Sequence, residues 1–257
     1  DELIAEALTQ FLARNSVEGD QIAISVGGQA GLVRFIKLPP VEAKKIPDIV
    51  RFEARQQIPF DMNRVVWDYQ PIKESYEPGE EIEVGLFALK EERVNEFMEM
   101  LEPWENELGI IQDAPLASYN FLSYEGYTDE PIVVLDMGAR TTDVIVLNQP
   151  RFWVRPLRIG GKDLTRAIHE RFGVSTEEAE RVKARAGRSQ HRERIAEVVR
   201  PVVDNLVSEI QRSLGYYKGL DRGVRLEKVF LLGDGFKLEG VQEMMAQDLQ
   251  YELHGID

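Results

Sequence analysis

The sequence predicts an α/β chain in two lobes that divide near residue 125. Three observations predict it. Residues 20–110 follow the order β-β-α-β-β-α. From Ile132, three strand-like segments come in quick succession, joined by glycine-containing turns. Helical spacing then takes over, interrupted by one last strand that runs into Gly233-Asp234-Gly235.

Residues 2–14 read as a helix with Ile4, Ala7, Leu8, Phe11 and Leu12 on one face. Ile22–Val26 is a short strand stopped by Gly27-Gly28, and Leu32–Leu38 a second stopped by Pro39-Pro40. A helix from about Val41 to Gln57 carries Ile46, Val50 and Ala54 as its buried stripe, and Pro59 cannot continue it. Val65–Lys73 and Ile82–Leu89 alternate as strands around Glu77-Pro78-Gly79. The helix Glu91–Leu101 turns Val94, Phe97, Met98 and Leu101 inward. In the second lobe, Ile132–Asp136, Asp143–Asn148 and Arg151–Ile159 are strands. Lys162–Phe172, Thr176–Ala186 and about 192–218 are helices, the last with an apolar face of Ile195, Val198, Val199, Val202, Leu206, Ile210 and Leu214. Lys228–Leu232 is the final strand, and a helix follows over about 238–249.

Composition narrows the function classes. The chain has 257 residues, a formal charge of −14 and no cysteine, which excludes disulfide frameworks and thiolate metal sites. The acidic balance argues against nucleic acid as a partner and against direct anchoring to anionic lipid. No run approaches the roughly 18–20 apolar residues of a spanning helix. The opening Asp-Glu-Leu-Ile lacks the basic start and apolar block of a secretory signal. The locally basic stretch Arg181–Arg194, which includes Lys183, reads as a solvated helix face and loop.

Four segments can carry chemistry. In Val134-Leu-Asp-Met-Gly-Ala-Arg-Thr-Thr-Asp-Val144 a strand ends in Asp136, turns through Gly138 and re-enters a strand through Thr141 and Thr142. Glycine allows close backbone approach, turn N–H groups face an anion, and a strand-end carboxylate can hold Mg²⁺ through water. An ordinary hairpin turn accounts for the same residues equally well. Leu157–Thr165 runs a strand through Gly160-Gly161 into a helix, a phosphate approach or a plain connector. Glu209, Arg212 and Ser213 lie three and four positions apart on one helix face, suited to a ribose and base edge or to a surface salt bridge. Val229–Leu238 ends a buried strand in Gly233 and Gly235 before a helix, a geometry that accepts a nucleotide.

Taken in order and spacing, the four resemble the actin-like ATPase superfamily of actin, DnaK-type chaperones, sugar kinases and FtsA. Val33–Pro39, Phe52-Glu-Ala-Arg-Gln-Gln-Ile-Pro-Phe60 and Trp67-Asp-Tyr-Gln70 further resemble the inserted subdomain of type IV pilus assembly PilM proteins. That resemblance covers almost the whole chain. It implies an α/β actin-like ATPase (ribonuclease H-like) two-lobe fold with an inserted α+β subdomain. Residues 1–125 would form the first lobe, with the insert at about 20–110. Residues 126–257 would form the second, with a helical subdomain at about 162–222.

It further implies a cytoplasmic adaptor at the inner face of the inner membrane. The adaptor would bind the N-terminal tail of a PilN-type membrane protein within the pilus assembly machinery, with at most slow ATP hydrolysis and no assigned catalytic residue. Asp136 would face Mg²⁺ through water. Gly138, Ala139, Thr141 and Thr142 would face the phosphates of ATP, and Gly161 would stand close to the nucleotide. Glu209, Arg212 and Ser213 would approach adenosine, with Gly233 and Gly235 framing base and sugar.

The sequence departs from the family pattern in three places. Members begin with an Asp-x-Gly-x-x-Ser phosphate loop, whereas this sequence opens in a helix, so weak or absent ATP binding is expected of the chain as given. Asp234 replaces a common glycine, and a carboxylate there would cost about 1–4 kcal/mol against a phosphate at about 4 Å. Arg140 stands at the hairpin tip, to pair with phosphate or to be solvated. Two other readings share the fold. An ATPase or small-molecule kinase would use Asp136 or Asp143 as base, but no sugar-binding constellation is seen. An FtsA-like filament former would carry a C-terminal amphipathic membrane helix, which is not read here.

Overall fold

In the computed structural model the described residues are 2–15, 19–27, 31–73, 76–77, 79–102, 108–188, 190–249 and 251–256. The chain divides into two compact units, residues 1–117 and 118–257.

In the first unit, helix α1 (Glu2–Arg14) precedes strand β1 (Ile22–Val26). A three-stranded antiparallel sheet follows, ordered β2 (Gly31–Leu38), β4 (Ile82–Lys90), β3 (Val65–Pro71). Helix α2 (Ile46–Gln57) covers it. Ile46, Val50 and Ala54 recur every four residues, so one side of the helix buries against Ile36, Leu38, Val84 and Leu86. The helix ends where Ile58 N–H donates to Ala54 O and Pro59 follows. The central strand β4 is buried along most of its length. Helix α3 (Glu91–Met100) contributes no fully buried residue; Val94, Phe97 and Met98 are half-buried, and only Leu101 beyond its end is buried. Phe11, expected on the apolar stripe of α1, is exposed. Strand β5 (Leu108–Asp113) pairs in parallel with β1 and leads into helix α4 (Ala114–Tyr124); neither was read from the sequence. The expected turn residues Gly28 and Pro78 and the side chain of Ile4 lie outside the described residues.

The second unit is built on a five-stranded sheet ordered β10-β9-β6-β7-β8. Strands β6 (Ile132–Met137), β7 (Thr142–Asn148) and β8 (Arg151–Leu157) form an antiparallel meander. Strands β9 (Lys228–Leu232) and β10 (Glu252–Gly255) run parallel to β6. Strand β6 is apolar from Ile132 to Leu135 because a central strand is covered on both faces. Helices α5 (Gly161–Phe172), α6 (Thr176–Ala184), α7 (Arg192–Leu220) and α8 (Val241–Asp248) complete the unit. Helix α7 buries Ile195, Val199, Val203, Leu206, Ile210 and Leu214 at 3–4-residue spacing. These side chains share a core with Val133, Leu135, Val144 and Val146. Val198 and Val202 flank the stripe and are only partly buried. Ser175 opens α6 as its N-cap, accepting from Glu178 N–H at 3.1 Å. A short 3-10 turn (Asp234–Lys237) follows Gly233, and α8 starts at Val241, later than the helix expected from about 238.

The direction of the strands positions the site. Strands β6, β8 and β9 run the same way, so the turns leaving their carboxyl ends gather at one end of the sheet, where α/β sheets receive ligands. Leu135→Ala should lower the unfolding free energy of this unit by about 2–5 kcal/mol. Tyr124→Ser, at a side chain 88 % exposed, should stay within about 0.5 kcal/mol. Urea unfolding followed by circular dichroism measures both.

Candidate functional site

The turn after β6 closes through Gly138 N–H to Thr141 O at 2.9 Å. The turn after β8 lies directly against it. Gly161 N–H donates to Gly138 O at 2.9 Å and Lys162 N–H to Ala139 O at 2.8 Å. The Thr142 hydroxyl donates to Ile159 O at 2.7 Å. A Cβ on Gly160 would stand 2.7 Å from Arg140 C and Thr141 N, so only glycine permits this approach. The first amides of α5 are thus held by hairpin carbonyls. Among the described residues the Ala139 and Arg140 amides make no hydrogen bond and stay available to an anion.

The third turn starts at Gly233, whose φ of +90° suits glycine and whose Cβ would meet Met137 O at 2.4 Å. The three turns and α6 enclose a cleft of about 640 Å³, within the size range of small-molecule sites. Gly138, Ala139, Gly161, Gly233 and Gly235 line it. Its remaining walls include Asp234, which the sequence placed against phosphate, and Lys162, Glu180, Lys183 and Lys237, to which the sequence reading assigned no site role.

Helix α6 supplies a polar group with three acceptors, Lys183. Lys183 Nζ donates to Gly161 O at 3.2 Å, to Thr165 Oγ1 at 2.8 Å and to Glu180 Oε1 at 3.0 Å. The Thr165 hydroxyl lies 2.6 Å from Glu180 Oε1. Desolvation pushes the Glu180 carboxyl up, but hydrogen bonds from Lys183 and Thr165 outweigh it and leave the group below its ordinary value. Lys183 was expected on a solvated basic face; its side chain is only 20 % exposed. The clue in the sequence was a Glu and a Lys three apart on a helix closely following Gly160-Gly161.

Glu209, Arg212 and Ser213 do not line the cleft, and neither do Asp136, Thr141 and Thr142. Glu209 pairs with Arg155 at 3.5 Å and with Arg212 at 2.6 Å. Ser213 is fully buried, and its hydroxyl donates to Glu209 O at 2.6 Å. The helix turn that buries Leu206, Ile210 and Leu214 buries Ser213 with them. Thr141 is half-buried in the hairpin turn, and Thr142 is buried beneath it with its hydroxyl engaged. Arg140 is exposed at the tip.

Asp136 and Asp143 face each other across the β6–β7 ladder. Burial raises the Asp136 carboxyl above its ordinary value. Burial, and then the charge of Asp136, push Asp143 up to about 7. Asp143 Oδ1 is buried with no hydrogen-bond partner. These oxygens suit a hard cation. Among the described residues no cluster of three or more acidic or histidine side chains could hold a metal alone, so Mg²⁺ here would need water and ligand oxygens as well. Asp234, expected to repel phosphate, is paired with Lys237 at 2.8 Å, and that hydrogen bond and charge lower its carboxyl. Both side chains are exposed, so the pair softens the local charge only modestly.

The strand order, with glycine turns meeting at the carboxyl ends, defines an actin-like ATPase fold. Residues 1–257 match the family of the type IV pilus assembly protein PilM, and the chain belongs to that family. It is similar to the solved PilM-PilN type IV pilus biogenesis complex, with a TM-score of 0.83 and 28 % identity over 99 % of this chain and 74 % of that one. It is also similar to the ethanolamine utilization protein EutJ from Carboxydothermus hydrogenoformans, with a TM-score of 0.51 and 25 % identity over 62 % of this chain and 54 % of that one.

The Asp143 environment makes stability depend on pH with a defined sign. Its folded value, about 7, lies above the roughly 3.9 of an unfolded Asp. Between these values the folded state holds a proton that the unfolded chain has released, so the contribution is full below about pH 4 and is lost as pH rises through about 7. Asp143→Asn should remove that loss. Its urea midpoint should match the native chain near pH 4 and exceed it near pH 8.

Proposed function

We propose that this chain is a cytoplasmic adaptor of type IV pilus biogenesis that binds the cytoplasmic tail of a PilN-type inner-membrane protein. The observation that carries the reading is the match over 99 % of the chain to a PilM-PilN complex, together with family membership over residues 1–257. No helix among the described residues is long and apolar enough to cross a membrane, so in this reading the partner supplies the attachment. The first unit offers a groove of about 490 Å³ between α2 and β3, lined by Val41, Ile46, Pro47, Tyr69, Pro71 and Tyr76. Gln70 and Lys73 add polar groups to these apolar and aromatic walls, a mixture that suits an extended peptide segment.

The same proposal assigns the glycine-lined cleft of the second unit to an adenine nucleotide. The Ala139 and Arg140 amides would take phosphate oxygens, and Gly138, Gly161, Gly233 and Gly235 would give the ligand close backbone approach. Asp136 would hold the hydration shell of Mg²⁺, with Asp143 beside it. Mg²⁺ would screen phosphate charge.

Fluorescence anisotropy of a labelled PilN-type N-terminal peptide, with and without ATP·Mg²⁺, tests the adaptor role. Saturable binding that unlabelled peptide competes away is expected, and no binding under either condition would count decisively against it.

A further inference from the structure

The cleft contains a buried hydroxyl whose position is more constrained than its size requires. Thr165, one turn into α5, is 2 % exposed. It stands 3.0 Å from Gly161 O, 2.6 Å from Glu180 Oε1 and 2.8 Å from Lys183 Nζ. The hydroxyl has one proton to give, and the short contact to a carboxylate is where charge assistance is strongest. Its lone pairs then receive Lys183. The Lys183 ammonium has three N–H groups, and Gly161 O, Thr165 Oγ1 and Glu180 Oε1 take all three. Lys183 therefore has no donor left for a ligand in this arrangement and acts through the groups it holds.

The bridge reaches the hairpin through one residue, Gly161. The Gly161 carbonyl receives Lys183, and the Gly161 N–H donates to Gly138 O, whose own N–H closes the turn on Thr141 O. We propose that Thr165 is a positioning residue: its hydroxyl locks Lys183 and Glu180 of α6 onto the Gly161 peptide, so that the α6 wall and the phosphate-side hairpin are set by one hydrogen-bonded chain. A ligand that spans both would find its two ends already in register. This assignment rests on the nucleotide reading of the cleft for its consequence, but the bridge itself exists without ligand.

The test uses the full chain with Thr165→Val, which is nearly isosteric but cannot bond, and Thr165→Ser, which keeps the hydroxyl. Without ligand, amide hydrogen exchange at Gly161 and Lys162 should quicken about tenfold in the Val variant, as for loss of a hydrogen bond to a charged group. The Ser variant should restore native exchange, and the amides of α7 should be unchanged in both. A general packing role would instead speed exchange throughout α5 and α7 without rescue by serine, which would overturn the proposal. With ADP·Mg²⁺, calorimetric affinity should fall about tenfold in the Val variant and recover in the Ser variant. If the native chain binds no ADP, the nucleotide reading fails while the ligand-free exchange still decides the bridge. Should Thr165→Val not fold, Lys183→Met removes the same bridge from its exposed side, and unchanged exchange at Gly161 there would overturn the proposal.

Discussion

Two turns of the second unit meet with nothing between them but backbone, and the rest of the site depends on that contact. The loop entering α5 can lie on the β6–β7 hairpin because residue 160 has no Cβ to strike Arg140 and Thr141. Once it does, the Gly161 and Lys162 amides fall onto the Gly138 and Ala139 carbonyls. This arrangement satisfies donors that a helix N-terminus otherwise leaves open. It also fixes where α5 points, and with it where α6 packs and what Lys183 can reach. The third turn obeys the same rule, since Gly233 passes within a side chain's width of Met137 O. Glycine at these positions is therefore a requirement of close packing as much as of ligand access.

The charges are arranged against the trend of the molecule. A chain of net charge −14 gathers Lys162, Lys183 and Lys237 around one cleft. Two of its acids there, Glu180 and Asp234, are each bonded to one of those lysines. Asp136 and Asp143 stand opposite each other in the β6–β7 ladder, and burial raises both carboxyls. A polar atom buried without a partner is costly in a folded protein. The buried Asp143 oxygen bears that cost.

The sequence was most legible where a single pattern decided structure. The meander β6–β7–β8 follows from three apolar runs separated by short turns, and the stripe of α7 from its regular spacing. Helix α2 was legible because Pro59 marks its end and three buried residues mark its face. Strand β5 was missed because Leu108-Gly109-Ile110-Ile111 is short and carries a glycine, and its pairing with β1 spans most of the unit. Strand β10, four residues long with no alternation, is held by its place beside β9. At the site, glycines could be read because turns that close are local events. The α6 residues could not: Lys183 sits in a basic stretch, and only packing shows that its side chain turns inward. For Glu209, Arg212 and Ser213, spacing showed a shared face but not what the face meets, and packing against the core claims Ser213.

Family membership and fold join these observations: a member of the PilM family with an actin-like ATPase fold, whose second unit holds a cleft at the carboxyl ends of its strands. The nucleotide assignment is its central chemical claim. Amide chemical-shift mapping by NMR during titration with ADP·Mg²⁺ tests it most directly. The account predicts saturable shifts concentrated at Gly138–Thr141, Gly160–Lys162, Glu180–Ala184 and Gly233–Leu238. Shifts at Glu209–Ser213 with none at these four segments, or no saturable shifts anywhere, would contradict it.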